Sequence, residues 1–191
     1  MRTAELTRET KETRVSVALD LDNAAAPNIR TGIGFFDHML TALFFYAKIG
    51  AVIDVDGDLY VDAHHSVEDC GIVIGTALRE AYGDKAGIRR FADCHIPMDE
   101  ALAFCALDIS NRPYLSFEAE FPQAIIGGYD AGLTAEFFRA IAVNAGLTVH
   151  LKASGDNSHH ITEAIFKAFG ACLKTALTVD GNAVTSTKGI L

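Results

Sequence analysis

The sequence predicts an α/β (α+β) protein built from two similar halves. The motif His-His-x-x-Glu occurs twice, at residues 64–68 and 159–163, and the two copies start 95 residues apart in a chain of 191. Each copy leads into apolar residues at helical spacing. Each half also contains a strand, a helix and a second strand before its copy of the motif. We therefore predict a single domain over residues 1–191, made of halves at about 1–95 and 96–191.

The first half alternates strand and helix patterns. Branched residues that alternate with polar ones predict a strand, and apolar residues at a spacing of three and four predict a helix. The Asp56-Gly57 pair between two short apolar runs predicts a hairpin. The predicted elements are a strand at 13–21, a loop at 22–30, a helix at 35–48, a hairpin with strands 51–55 and 59–61, and a helix from 64 to about 82.

The second half repeats this order. The predicted elements are strands at 101–109 and 114–121, a turn at 127–128, a helix at 133–144, a strand at 147–152, a turn at 155–157, a helix from 159 to about 177, and a polar tail at 179–191. The chain thus presents a helix before each copy of the motif as well as one after it.

Amino-acid composition limits the classes of function that this protein can have. A net charge of −9 disfavours a non-specific nucleic-acid binder. No apolar run has the roughly 18–20 residues of a membrane span, and the charged first 12 residues do not resemble a signal peptide. Four cysteines without a Cys-x-x-Cys motif lie in apolar stretches, which is typical of a reducing compartment. We expect a cytoplasmic protein without a nucleic-acid or membrane partner.

The repeated motif predicts a two-metal site. At the start of a helix, a Glu three or four residues after a His lies on the same side as that His. Two adjacent histidines point about 100° apart, so each can bind a different metal ion more easily than both can bind one. The alternative for a single copy is a helix N-terminus with exposed polar residues. Two copies that both begin helices favour metal binding.

Other residues extend this set of ligands. His38 lies in the first turn of the helix before the first motif, and Glu136 holds the matching place in the second half. Glu136 could equally be a surface carboxylate at a helix N-terminus. His150 points to the polar face of a strand, as a ligand or as an ordinary hydrogen-bonded residue. His95 is expected in a loop, where nothing in the sequence partners it.

Several segments together resemble one known family, imidazoleglycerol-phosphate dehydratase of histidine biosynthesis. The resemblance covers nearly the whole chain, and several motifs in one order are more specific than any single motif. The segments are 8–13 (RETKET), 31–40 (TGIGFFDHML), 64–69 (HHSVED), 157–160 (NSHH) with Glu163, 166–169 (FKAF) and 186–189 (STKG).

The resemblance implies a fold, an assembly and a metal. The fold would be a duplicated half-domain with two four-stranded sheets and helices packed between them. The assembly would be a homo-oligomer of 24 subunits, with active sites at subunit interfaces. Each active site would hold two Mn²⁺ ions, although histidine and carboxylate ligands also suit iron, cobalt or zinc.

The resemblance also assigns roles to residues. Glu12 would contact the substrate and transfer protons near the reacting carbons, and without the resemblance it would pass for a solvated residue before a strand. The metal ligands would be His38, His64, His65, Glu68, His159, His160 and Glu163, with Glu136 at a position where relatives have His or Glu. The substrate phosphate would bind Arg90, Arg112, Lys167, Ser186 and Lys188, each of which could by itself be an ordinary surface residue.

Three positions depart from the family pattern. Relatives usually have Gly at Asn111, often Asp at Ala63, and usually a further His near Lys48. None of these departures removes an implied ligand. The missing histidine could change how the substrate fits.

The implied reaction is a carbon–oxygen lyase step. Water would leave D-erythro-imidazoleglycerol phosphate, a small phosphate substrate, to give imidazoleacetol phosphate. Two alternatives remain open, a hydrolytic two-metal enzyme of the same fold and a non-catalytic metal-binding protein. A hydrolase would release phosphate, and a non-catalytic protein would have no need of Glu12 and the cationic residues together.

Overall fold

The computed structural model describes residues 1–190 and contains four helices and ten strands. Leu191, the last residue of the predicted polar tail, lies outside the described residues. The helices are α1 (Gly34–Ala47), α2 (His64–Tyr82), α3 (Leu133–Ala145) and α4 (Ser158–Ala176). The strands are β1 (Thr3–Glu9), β2 (Thr13–Asp20), β3 (Asn28–Arg30), β4 (Gly50–Gly57), β5 (Phe91–Met98), β6 (Ala101–Asp108), β7 (Tyr114–Ala119), β8 (Ile125–Ile126), β9 (Tyr129–Asp130) and β10 (Thr148–Ser154).

Two four-stranded sheets share one topology. The first has the strand order β1-β2-β4-β3 and the second the order β5-β6-β10-β7. In each sheet two neighbouring pairs are antiparallel, and the third pair, β3 with β4 or β7 with β10, is parallel. This architecture confirms the predicted fold class. The limit proposed near residue 95 falls inside β5, the first strand of the second sheet.

The helices lie between the two sheets. Helix α2 packs on β1 and β2, α4 packs on β5 and β6, and the helices meet each other as the pairs α1/α4 and α2/α3. Glycines permit this close approach: a Cβ atom at Gly170 would clash with the Leu43 carbonyl oxygen of α1, and one at Gly75 would lie 2.9 Å from the Ile141 carbonyl oxygen of α3. No helix in residues 1–190 combines the length and apolar character needed to cross a membrane.

Aromatic rings fill the space between the helices. Phe166 of α4 is fully buried, with its ring centroid 5.3 Å from that of Phe137 and 4.9 Å from that of Phe138. Phe36 of α1 meets Phe137 edge to face at 5.1 Å. Because α4 also carries the second His-His motif, this packing fixes the position of the motif relative to α1 and α3.

Replacing Phe166 by Ala tests the contribution of this cluster. We expect the free energy of unfolding in urea to fall by about 3–5 kcal/mol, because the change removes buried apolar surface and leaves a cavity. The matched control is Phe45→Ala, since Phe45 is 54% exposed and should change stability by less than about 1 kcal/mol. Equal losses for the two variants would contradict this description of the core.

Some predicted elements are wrong. The hairpin predicted at 51–61 does not form, because β4 runs unbroken to Gly57 between β2 and β3 while residues 59–61 form turns. The loop predicted at 22–30 contains the short strand β3. Strands β1 and β5 were not predicted, and His95 lies in β5 rather than in a loop. Both are edge strands, which pair with a neighbour on one side only. Pro97, which has no N–H to donate, is therefore tolerated in β5.

Candidate metal and phosphate site

One histidine of the first half meets the His-His motif of the second. His38 Nε2 and His159 Nε2 each lie 3.2 Å from the same oxygen, Oε2 of Glu163. The ligand atoms of these three residues all lie within 4.8 Å of one another. The pairing of α1 with α4 produces this arrangement, because it brings the first turns of the two helices together. We call His38, His159 and Glu163 the His38 cluster.

Local hydrogen bonds hold the two helix starts in place. The backbone N–H and the hydroxyl of Thr31 both donate to Oδ1 of Asp37, at 2.7 and 2.6 Å, which orders the chain just before α1. At α4, Oδ1 of Asn157 accepts the N–H groups of His159 and His160, as an N-cap residue does. His38 and His159 therefore project from helix starts that local hydrogen bonds order.

The surroundings of Glu163 favour the ionised form of its carboxylate, which can bind a cation. Burial raises the pKa of Glu163, but the hydrogen bond from Lys167, 2.8 Å from Oε1, and the contact with His38 outweigh it and lower the pKa overall. Glu163 therefore stays ionised in a largely buried position. Its other oxygen, Oε2, faces the two histidine rings.

The His38 cluster fits a divalent metal ion. Two imidazole nitrogens and one carboxylate oxygen are a ligand set that suits Mn²⁺, Fe²⁺, Co²⁺ or Zn²⁺. Both rings are about half exposed, at 49% and 42%, so an ion or a substrate can reach them from solvent. The observation that supports a metal site is the largely buried carboxylate of Glu163 in contact with the accessible rings of His38 and His159.

The first copy of the motif is more open. His64 Nε2 lies 3.7 Å from Oε2 of Glu68, and both side chains are nearly half exposed. His64 also lines a cavity of about 510 Å³, together with Asp62 and Asp130. Glu136 of α3 joins no group of possible metal ligands within residues 1–190, and its carboxylate accepts a hydrogen bond from Arg139.

The second histidine of each motif is bonded to a carboxylate. Nδ1 of His65 lies 3.0 Å from Oδ2 of Asp58, and Nδ1 of His160 lies 2.8 Å from Oε2 of Glu100. These contacts raise the pKa of both histidines. Since an ionised carboxylate only accepts hydrogen bonds, each Nδ1 carries a proton, and in the neutral ring Nε2 keeps its lone pair.

Glu12 lies beside the first motif without a close partner for its carboxylate. Its Oε2 is 3.9 Å from Nδ1 of His65, and the side chain is 56% exposed. Its backbone is fixed, because its N–H donates to the Thr10 hydroxyl and its carbonyl accepts from the Asp58 N–H. A carboxylate on a fixed backbone beside a histidine is suited to proton transfer with a bound molecule.

A second cavity holds most of the predicted phosphate ligands. It has a volume of about 900 Å³ and is lined by residues from the start of β5, the loop after β6 and the C-terminal tail. Four of the five predicted residues line it, namely Arg90, Arg112, Ser186 and Lys188. The fifth, Lys167, lies apart from this cavity at Glu163 of the His38 cluster.

Arg90 is held firmly in this cavity. It is largely buried, donates through Nε and Nη2 to both oxygens of Asp108, at 2.7 and 3.1 Å, and donates through Nη1 to the Thr185 carbonyl. Arg112 is 67% exposed and lies 3.5 Å from the same Asp108 carboxylate. The two arginines thus present excess positive charge to the cavity, and Arg90 also anchors the tail.

The structure shows the local surroundings of the three positions that depart from the family pattern. Asn111 has a φ of +56°, a region that favours glycine and tolerates asparagine. Ala63 provides no side-chain cap to α2, and Asp62 instead accepts the His64 N–H at 2.7 Å. Lys48 ends α1 with its ammonium 4.2 Å from the Phe45 ring centroid.

Sequence reasoning missed three carboxylates in these sites. Asp58, Glu100 and Asp108 each bind a predicted functional residue, at separations of 7, 60 and 18 residues along the chain. A signal existed for Glu100, which precedes β6 as Glu12 precedes β2. His150, as predicted, is exposed on the polar face of its strand, with its ring 5.9 Å from that of Tyr114.

Comparison with known proteins points to one family. Residues 31–173 match the family described as "Imidazoleglycerol-phosphate dehydratase". Relatives with that name include proteins from Desulfitobacterium hafniense, 51% identical over 100% of this chain and 99% of the relative, and Methanosarcina barkeri, 49% identical over the full length of both.

Solved structures agree with the sequence comparison. The crystal structure of imidazoleglycerol-phosphate dehydratase from Staphylococcus aureus is 41% identical, with a TM-score of 0.85 over 93% of this chain and 99% of that one. The enzyme from Pyrococcus furiosus is 38% identical, with a TM-score of 0.85 over 97% of this chain and 100% of that one. This chain therefore belongs to the imidazoleglycerol-phosphate dehydratase family.

Proposed function

We propose that this protein removes water from D-erythro-imidazoleglycerol phosphate to give imidazoleacetol phosphate, a lyase step of histidine biosynthesis. The observation that carries the proposal is the His38 cluster, two accessible imidazoles above a buried carboxylate, in a chain of this family. The cationic cavity around Arg90 and Arg112 supports it, because it suits the phosphate of such a substrate.

The active site is proposed to hold two Mn²⁺ ions. One ion would be held by the His38 cluster. The other would be held by His64 and Glu68. The remaining ligands of the two ions would be His65, His160 and Glu136, from this or another chain. Metal ions act as Lewis acids when bound, which would help a substrate imidazole ring accept negative charge.

The protein's own residues would orient the substrate and move protons. Glu12, with its free carboxylate on a fixed backbone, would take or deliver the proton at the carbon beside the ring. Arg90, Arg112, Ser186 and Lys188 would bind the phosphate. Binding energy at the phosphate would then hold the reacting carbons in place.

The active site is proposed to form between subunits of a 24-subunit homo-oligomer. Within one chain the His38 cluster gathers three of the eight predicted ligands, which leaves the others for a site completed by a neighbour. Exposed apolar side chains, including Tyr60 and Val61, provide surface for such contacts. We also propose a cytoplasmic location, since all four cysteines are free.

The proposal is tested by turnover with controlled metal. Purified protein is mixed with imidazoleglycerol phosphate, and the absorbance of the enolised ketone product is followed after treatment with chelator and again after Mn²⁺ is restored. We expect turnover to disappear with chelator and to return with Mn²⁺. Release of inorganic phosphate without ketone would instead identify a hydrolase, and no reaction by metal-loaded protein would contradict the proposed function.

Replacing Arg112 by Ala tests the phosphate cavity. We expect KM for the substrate to rise about 10- to 100-fold with a smaller change in kcat, because a charge-assisted hydrogen bond contributes about 1.5–3 kcal/mol. Arg89→Ala is the matched control, since Arg89 binds Asp180 and does not line the cavity. An unchanged KM for Arg112→Ala would place phosphate binding elsewhere.

A further inference from the structure

The two halves place a glutamate at the same point of each sheet. Strands β1 and β5 start at residues 3 and 91, and β2 and β6 start at residues 13 and 101, so both pairs are offset by 88 residues. Glu12 and Glu100 are the residues directly before β2 and β6, at that same offset. By position in the fold they are counterparts.

The two glutamates nevertheless make different contacts. Glu100 is fully engaged: its Oε2 lies 2.8 Å from Nδ1 of His160, and its Oε1 accepts the N–H groups of Asp156 and Asn157 at 3.3 and 3.0 Å. Glu12 lies 3.9 Å from Nδ1 of His65 and is 56% exposed, against 33% for Glu100. Glu100 is therefore bonded to a histidine ring, whereas its counterpart Glu12 is not.

Asp58 explains this difference. It follows Gly57 at the end of β4, and its counterpart Asp156 follows Gly155 just after β10. Asp58 is only 10% exposed, and both of its carboxylate oxygens lie within 3.2 Å of Nδ1 of His65. The histidine that Glu12 could hold is therefore already bonded. In the second half Asp156 is exposed, and Glu100 instead is bonded to the imidazole ring of His160.

We propose that Asp58 and Glu100 are positioning residues for His65 and His160, and that Asp58, by holding His65, leaves Glu12 free for the substrate. Each carboxylate keeps the proton on Nδ1 and directs Nε2 outwards as a metal ligand. The duplicated halves thus use non-equivalent carboxylates for the same task. This inference rests on the proposed function, because it assumes that these histidines bind metal and that Glu12 acts on the substrate.

The consequence is a specific coupling between Asp58 and Glu12. Without Asp58, Glu12 needs to move by only about 1 Å to reach hydrogen-bonding distance from Nδ1 of His65. It would then support the ring as Glu100 does in the second half, but it would no longer be free for proton transfer. Removing Asp58 should therefore weaken metal binding only in part while reducing turnover, even with saturating metal.

The test is a double-mutant cycle read by metal affinity. The full-length protein and its Glu12→Gln, Asp58→Ala and doubly substituted variants are titrated with Mn²⁺, and free Mn²⁺ is measured by electron paramagnetic resonance. We expect Glu12→Gln to leave the affinity unchanged and Asp58→Ala to weaken it by up to about tenfold. The double variant should bind more weakly than Asp58→Ala, because the substitute carboxylate is gone.

Further variants separate positioning from folding and charge. Asp56→Ala removes a nearby exposed carboxylate from the same strand and should leave Mn²⁺ affinity unchanged. Glu100→Ala should weaken it by about 10- to 100-fold. Asp58→Asn, whose amide oxygen can still accept from Nδ1, should retain more affinity than Asp58→Ala and serves if the latter does not fold.

Three results would overturn the inference. These are unchanged Mn²⁺ affinity in both Asp58 variants, a loss in Glu12→Gln as large as in Asp58→Ala, or a double variant that binds no more weakly than Asp58→Ala. The affinity measurements need no substrate. Absence of turnover by the metal-loaded parent protein would therefore refute the proposed function. It would not change what the Mn²⁺ affinities show about how Asp58 and Glu12 support His65.

Discussion

Glu163→Gln should lose more than about 100-fold in metal affinity and a comparable factor in dehydration rate. Carboxylates that merely support a metal-binding histidine contribute about 10- to 100-fold, whereas Glu163 would itself be a ligand of the proposed ion. The change also leaves Lys167 beside a neutral amide, 2.8 Å from the former carboxylate oxygen. The measurements are Mn²⁺ affinity and turnover in saturating Mn²⁺.

The matched control for Glu163 is Glu120→Gln. Glu120 is an exposed carboxylate just after β7, and its substitution removes the same charge away from the cluster. We expect parent-like affinity and turnover for this control. Thermal unfolding in chelator should show that Glu163→Gln is folded. Normal metal binding by a folded Glu163→Gln protein would exclude the His38 cluster as a metal site.

Glu12→Gln should reduce kcat by about 10²- to 10⁴-fold, the usual contribution of a positioned acid or base. Glutamine keeps the size of the side chain and its hydrogen-bonding capacity but cannot exchange a proton. Because Glu12 is exposed and its carboxylate lies 3.9 Å from His65, we expect no loss of stability. KM and Mn²⁺ affinity should change little.

Glu9→Gln is the control for position and charge. Glu9 ends β1 on the same hairpin, is exposed and contacts Arg14 only at 3.7 Å. We expect its kcat to equal that of the parent protein. A Glu12→Gln protein with normal kcat would remove Glu12 from the chemistry, and proton transfer would then have to come from another group near the His65 ring.

The repeat made much of this site predictable. The two His-His-x-x-Glu copies predicted histidine and glutamate as the types of metal ligand, and the helical pattern placed both copies at helix starts, where α2 and α4 indeed begin. The first helix was predicted almost to its bounds, with His38 in its first turn. These features depend on local periodicity, which a single sequence contains.

Long-range pairing was beyond the sequence. The contact of His38 with Glu163 depends on the packing of α1 against α4, which Gly170 permits because it has no side chain to clash with the backbone of α1. Asp58 and Glu100 lie in turns whose direction is set by strand pairing. Edge strands β1 and β5 were missed because neither contains a fully buried residue, which weakens the apolar pattern in the sequence.

The most direct test of the whole account is the Mn²⁺ content of the assembled protein. The parent protein should bind two ions per chain, one for each His-His-x-x-Glu motif, and Glu163→Gln should bind one. Turnover should rise only as the second ion binds. A parent protein that dehydrates imidazoleglycerol phosphate with fewer than two ions per chain would contradict the two-metal account.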